Sequence, residues 1–230
     1  TIVRHIKEKG LEPIAKLHAF RDDKCAKANN DMGVKYYDTK YIWLDNAPES
    51  GGRAWLNPYN EKSRQYIAAL CGELSKKGFS KIIVDSLQFP SGLGREKSGY
   101  GNMYEGKSAV LKDCIKEISD AVKANGGMAT FIFDVNGIES DSEMLYGGDV
   151  IEFYENNVML STSLEKIDSA VTIASRFKGK SGKTPEIMLQ AYNNDGGQPT
   201  QDDMQKAIEK LGKIDVTGYC LFNPQGIYQF

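Results

Sequence analysis

The chain has 230 residues, 40% of them hydrophobic and 26% charged, and a formal net charge of −2. That length allows one large domain with a sizeable core. The scattered Lys and Arg form no basic stripe, which argues against nucleic acid as a partner, and no apolar run approaches the ~18 residues of a membrane span.

Residues 1–10 set Ile2, Val3 and Ile6 among charges and close on Gly10, the pattern of an amphipathic helix with a glycine cap. They lack the apolar core of a signal peptide, although a processed precursor could have lost one, so secretion stays open. A strand is expected at 14–20, from Ile14 to Phe20. Residues 21–59 are rich in Asn, Asp, Gly and aromatics and are too long for a plain connection, so they read as a functional loop excursion. A helix at 60–77 places Tyr66, Ile67, Leu70 and Leu74 on one face and ends at Gly78.

The β-branched run Lys81-Ile82-Ile83-Val84 then delivers Asp85 where the chain leaves the strand. An apolar run between turn signals reads as a strand buried on both faces, and in a β/α architecture its end is where active sites are built. The Gly-rich stretch 91–106 reads as a mobile lid beside that strand; its Gly106-Lys107-Ser108 lacks the upstream glycine of a phosphate-binding loop.

A helix at 107–125 follows, then strands at 128–134 ending in Asp134 and at 150–154 followed by Glu155. A short helical turn at 141–145 lies between them. A helix is expected at 163–177, a strand at 186–192, a helix at 199–211 and a last strand at 218–222. Cys25, Cys71, Cys114 and Cys220 show no CxxC or Cys/His spacing, so no metal site is expected and buried free thiols are the reading.

Strands alternating with helices indicate a parallel sheet with helices outside. A TIM-type (β/α)8 barrel typically needs ~250 residues. This chain is shorter, spends a long stretch on one loop and opens on a helix. The expectation is therefore a single partial barrel over 1–230, lacking about its first one or two β/α units. An open doubly wound sheet is disfavoured because no GxGxxG follows a first strand.

Three segments carry a resemblance. Ala15-Lys16-Leu17-His18-Ala19-Phe20-Arg21-Asp22, Gly52-Arg53-Ala54-Trp55-Leu56-Asn57-Pro58-Tyr59, and the run from Gly78-Phe79 through Asp85 to Phe89-Pro90 match in order and spacing. They resemble the glycoside hydrolase barrel domain family of bacterial extracellular proteins, related to alpha-amylase type barrels. The resemblance implies a barrel acting on a polysaccharide or cell-wall glycan, outside the cell or at its envelope, with no cofactor. It also implies that Asp85 sits where those barrels keep their nucleophile. Ser86 stands where the family usually has Tyr, and Gln88 where it has Arg. An arginine there would orient the carboxylate and hold it ionised. Its loss favours a second reading, a barrel of the same ancestry that binds glycan without cleaving it.

Glycoside hydrolysis usually needs two carboxyl groups, one a proton donor and one an ionised nucleophile or base. Asp85 is the first candidate, against a structural Asp capping its own turn. Glu155 or Asp134 is the expected acid, against helix capping. His18 is a candidate sugar-hydroxyl ligand, although a satisfied core histidine suits a buried strand better. Arg21, Asp22 and Gln88 border the expected mouth, as do Tyr192 and Asn193 at the end of the 186–192 strand. Trp55 and Tyr59 offer faces for sugar stacking, against a loop folded over its own small core. A barrel for phosphorylated metabolites is the third class, without an evident phosphate loop near the last strand.

Overall fold

A computed structural model describes residues 1–103, 105–192, 199–216, 218–224 and 226. The chain divides into two compact units, Thr1–Phe131 with Glu143–Gly148, and Ile132–Ser142 with Asp149–Phe230.

The first unit opens with helix α1 (Ile2–Glu8), whose first turn is capped by the Thr1 hydroxyl accepting from the Arg4 N–H. Strand β1 (Ile14–His18) follows. The long excursion then holds helix α2 (Asp23–Ala28), a two-residue strand β2 (Lys35–Tyr36), two single 3-10 turns and three isolated β-bridges. Helix α3 (Glu61–Lys76) starts at Asn60, whose side chain accepts from the Ser63 N–H, and stops at Gly78, where φ is +99°. A side chain there would be strained in that left-handed conformation, and its Cβ would crowd Val3 Cγ1 at 3.1 Å.

Strand β3 (Lys81–Asp85) runs parallel to β1 with Lys16 opposite Ile83 and His18 opposite Asp85. Strand β4 (Ser98–Gly99) pairs antiparallel with β2, helix α4 (Lys107–Lys123) packs on α3, and strand β5 (Met128–Asp134) pairs in parallel with β3 from Lys81–Met128 to Val84–Phe131.

The buried stripe of α3 lies one step round from the one expected. It consists of Ser63, Arg64, Ile67, Ala68, Cys71, Gly72 and Ser75, while Tyr66, Leu70 and Leu74 are only half-buried. The C-terminal half of the stripe, Ala68, Cys71, Gly72 and Ser75, is small because α4 comes close: a Cβ on Gly72 would lie 3.2 Å from the Ala121 carbonyl oxygen. The facing side of α4 supplies the bulk, with Val110, Leu111, Cys114, Ile115, Ile118 and Val122 buried. Cys71 and Cys114 are free thiols in this layer, and burial pushes the Cys71 thiol up to about 12.

The second unit holds helix α5 (Val135–Tyr146) up to Ser142, kinked at Asp141, then strand β6 (Val158–Thr162), helix α6 (Ile167–Ser181), strand β7 (Glu186–Gln190), helix α7 (Gln201–Gly212) and strand β8 (Tyr219–Phe222). Strands β6, β7 and β8 are parallel neighbours in that order. The alternation expected from the sequence is present, with six parallel strands among the described residues rather than the eight of a complete barrel.

One strand was misplaced by the sequence pattern. Val150–Phe153 is a 3-10 helix, its first N–H groups capped by Asp149, which accepts from the Ile151 N–H at 3.1 Å. Burial of Val150, Ile151 and Phe153 suits a single helical turn as well as a strand. The true strand is Val158–Thr162, where Ser161 and Thr162 are as buried as the apolar residues and disguise it.

Candidate active site

Side chains alternate across a strand, so Lys81, Ile83 and Asp85 share one face of β3 while Ile82 and Val84 share the other. Ile82 and Val84 are completely buried, and Asp85 retains partial exposure at the C-terminal end. The parallel register puts Lys16 and His18 of β1 on the same face as Asp85. The pairing runs on beyond the strands, since the Ala19 N–H donates to the Asp85 carbonyl at 2.7 Å and the Phe20 N–H to that of Ser86 at 3.3 Å.

Two donors fix the Asp85 carboxylate, and a histidine lies beside it. Lys16 Nζ donates to Oδ2 at 2.5 Å, and both side chains are about four-fifths buried. The Ser86 N–H donates to Oδ1 at 2.6 Å, and His18 Nδ1 lies 3.8 Å from Oδ2. Ser86 adopts φ +55°, a left-handed conformation costly for a residue with a side chain. That turn aims its N–H at Asp85 and sets its hydroxyl 2.9 Å from His18 Nδ1. A carboxylate with a donor on each oxygen is held in one orientation. Burial lowers the His18 pKa below its ordinary 6.5, the Asp85 charge opposing and Lys16 and two arginines reinforcing the shift, so the ring is neutral near pH 7.

His18 is therefore no core histidine: half of its side chain is exposed, at the strand end. Lys16 is the residue the sequence reading overlooked. Its signal is parity, since a lysine two positions before His18 inside a five-residue strand shares that face. Gln88, which stands in the family's arginine position, accepts from the Tyr146 hydroxyl at 3.3 Å.

Three aromatic residues of the excursion, Trp43, Trp55 and Tyr59, are structural, contrary to the expectation that Trp55 faces a sugar. Trp55 is 2% exposed; its Nε1 donates to Asp45 Oδ2 at 3.1 Å, and the Arg21 guanidinium lies 5.8 Å from its ring centroid and 3.4 Å from the same carboxylate. Trp43 is fully buried and donates to the Gly94 carbonyl. Tyr59 is also buried, its hydroxyl donating to the Glu105 carbonyl at 2.9 Å and its ring packed against Phe89 and Tyr100. Asp22 caps α2 through the Cys25 N–H and accepts from the Tyr66 hydroxyl. A loop this long must satisfy its own backbone and bury its own apolar surface, and these rings and acids do both. The same bonds from Trp43 and Tyr59, together with Asn57 donating to the Tyr100 carbonyl, tie the Gly-rich stretch to the excursion at three points.

In the second unit, Asp134 ends β5 and its Oδ1 accepts from the Gly137 N–H at 3.0 Å, capping the first turn of α5. Glu155 is exposed and precedes β6, beside Val158 and Glu186, which begin β6 and β7. It therefore lies at the N-terminal ends of strands, away from the C-terminal ends where barrel active sites form, because the strand assigned before it is a helical turn. Tyr192 is half-buried just past β7, and Asn193 lies outside the described residues. Among the described residues no group of three or more His, Cys, Asp or Glu gathers to hold a metal ion, and no helix is long and apolar enough to cross a membrane.

Parallel strands alternating with helices, with a cation-paired carboxylate at a strand's C-terminal end, mark a partial β/α barrel of the TIM type. The chain belongs to the family described as "Putative glycosyl hydrolase domain", whose model matches residues 1–152. No curated protein matches it. Among solved structures it is similar to the PgaB (BpsB) glycoside hydrolase domain from Bordetella bronchiseptica, at 14% identity and TM-score 0.67, over 95% of this chain and 72% of that one. It is similar to Aspergillus fumigatus Ega3 in complex with galactosamine, at 14% identity and TM-score 0.55, over 96% and 78%. The alpha-galactosidase TtGalA from Thermus thermophilus shares the fold at 12% identity and TM-score 0.59; the chain covers 99% of itself and 47% of that enzyme. At these identities the likeness is one of fold.

Proposed function

We propose that the chain hydrolyses glycosidic bonds of a polysaccharide, with Asp85 as nucleophile or base. The observation that carries this reading is the pairing of Asp85 with Lys16 at the C-terminal end of β3. Lys16 provides a cation beside Asp85 that Gln88 does not, which supports cleavage over binding alone. Among relatives of the fold, one is a glycoside hydrolase domain and another holds galactosamine, which supports a glycan as the substrate class. A cell-wall or extracellular glycan belongs to the same proposal and rests on the family resemblance.

In this mechanism Asp85 attacks the anomeric carbon or removes a proton from the attacking water, and a second carboxyl protonates the leaving oxygen. Lys16 and the Ser86 N–H keep Asp85 oriented through the step. The half-exposed His18 ring binds a sugar hydroxyl.

Release of reducing ends from a panel of bacterial and plant glycans tests the proposal. The wild-type protein is expected to release product from at least one, and Asp85→Asn to be slower by about 10²–10⁴-fold while remaining folded. Equal rates from the two proteins would remove Asp85 from the mechanism.

A further inference from the structure

The first unit carries an open groove of about 930 Å³, within the ~300–1,000 Å³ usual for small-molecule sites. None of Lys16, His18, Asp85 or Ser86 lines it, so it is distinct from the proposed catalytic centre. One wall is the turn Tyr36-Tyr37-Asp38-Thr39, closed by the Thr39 N–H and hydroxyl, both donating to the Tyr36 carbonyl at 3.0 Å. The Tyr36 N–H donates to the Tyr41 carbonyl at 2.9 Å and the Tyr37 N–H to the Lys97 carbonyl at 2.7 Å. Backbone bonds on both sides therefore fix the turn.

This fixed turn holds aromatic rings in water. Tyr36 is 36% exposed and Tyr37 76% exposed, whereas the same excursion buries both tryptophans of the chain. Tyrosine on a rigid backbone gives contact area at little cost in ordering. The formal charges lining the groove balance, Asp31 and Asp38 against Lys35 and Lys40, which gives no preference for a polyanion or a polycation. Exposed tyrosine rings beside carboxylate, ammonium and amide side chains suit a pyranose, which has an apolar C–H face and a rim of hydroxyls.

We propose that this groove is an accessory glycan-binding subsite for uncharged pyranose units, with Tyr36 and Tyr37 as stacking platforms and Asp38 and Lys40 as hydroxyl ligands. It deepens the reading of the chain as a glycan-acting barrel and rests on that reading for its ligand class. The subsite holds one stretch of a chain apart from the stretch being cleaved.

The test uses Asp85→Asn protein, so that binding is read without turnover. Isothermal titration with uncharged hexasaccharides of β-1,4-linked glucose, mannose, galactose and N-acetylglucosamine is compared before and after Tyr36→Ala plus Tyr37→Ala. At least one hexasaccharide is expected to bind, and to bind about tenfold or more weakly to the double variant, with circular dichroism unchanged. If the double variant does not fold, Tyr37→Ala alone, at the more exposed ring, is expected to weaken binding about threefold or more. No binding by any of the four, or unchanged affinity in a folded tyrosine variant, overturns the subsite. Hydrolysis is scored separately on wild-type protein: tyrosine-dependent binding without turnover contradicts the catalytic reading and leaves the groove standing.

Discussion

Lys16 and Asp85 form a close ion pair in which each side chain is about four-fifths buried, so removing one partner leaves the other without its counter-charge. Lys16→Gln is expected to cost about 1–3 kcal/mol of stability and to lower kcat more than it raises KM, with Lys16→Arg recovering part of the loss. Urea titration and steady-state kinetics check the two halves; an unchanged kcat in Lys16→Gln would make the lysine a packing residue. His18 carries a pH signature. Its folded-state pKa lies below the ordinary 6.5, so between those two values the unfolded chain binds more protons than the folded one. Stability from this residue is intact above about pH 6.5 and falls as the pH drops towards the folded pKa. Unfolding midpoints measured from pH 7.5 down to 5 should therefore decline more steeply for wild type than for His18→Gln. Parallel curves would mean that the ring is not desolvated. Asp85 was legible in the sequence because an apolar run ending in an acid is rare; Lys16 was missed because a lysine inside a strand reads as a surface residue until the parallel register puts it beside Asp85.

Elements with one strong period were readable, and those that depend on tertiary contacts were not. Strand β5 occupies the residues expected, 128–134, because an apolar run follows the paired glycines Gly126-Gly127. Strand β6 was missed because Ser161 and Thr162 look like loop residues, and an apolar helical turn at Val150–Phe153 took its place in the pattern. That single misplacement moved Glu155 to the wrong end of a strand. The excursion shows the same limit. No periodicity in residues 21–59 reveals that Trp55 is sealed by Asp45 and Arg21 while Tyr37 stays in water. Trp55→Ala is expected to cost about 3–5 kcal/mol by opening a cavity in this small core. A folded Trp55→Ala protein with wild-type stability, measured by urea unfolding, would return the ring to the list of sugar-binding candidates.

At the scale of the molecule, the alternation of helices and parallel strands was legible from turn signals and apolar runs, and the family match over residues 1–152 agrees with the three segments that first carried the resemblance. Fold alone hosts many reactions, so the catalytic reading stands on the Asp85 centre rather than on likeness. That centre makes a specific chemical demand. If Asp85 is the nucleophile or base, a small external anion can take its place once its side chain is removed. The decisive measurement is turnover of an activated aryl glycoside, of the sugar released from the glycan panel, by Asp85→Ala with and without added azide. The predicted result is a folded, inactive variant whose turnover returns with azide and yields a glycosyl azide. A folded Asp85→Ala protein that turns over at the wild-type rate without azide would contradict the account.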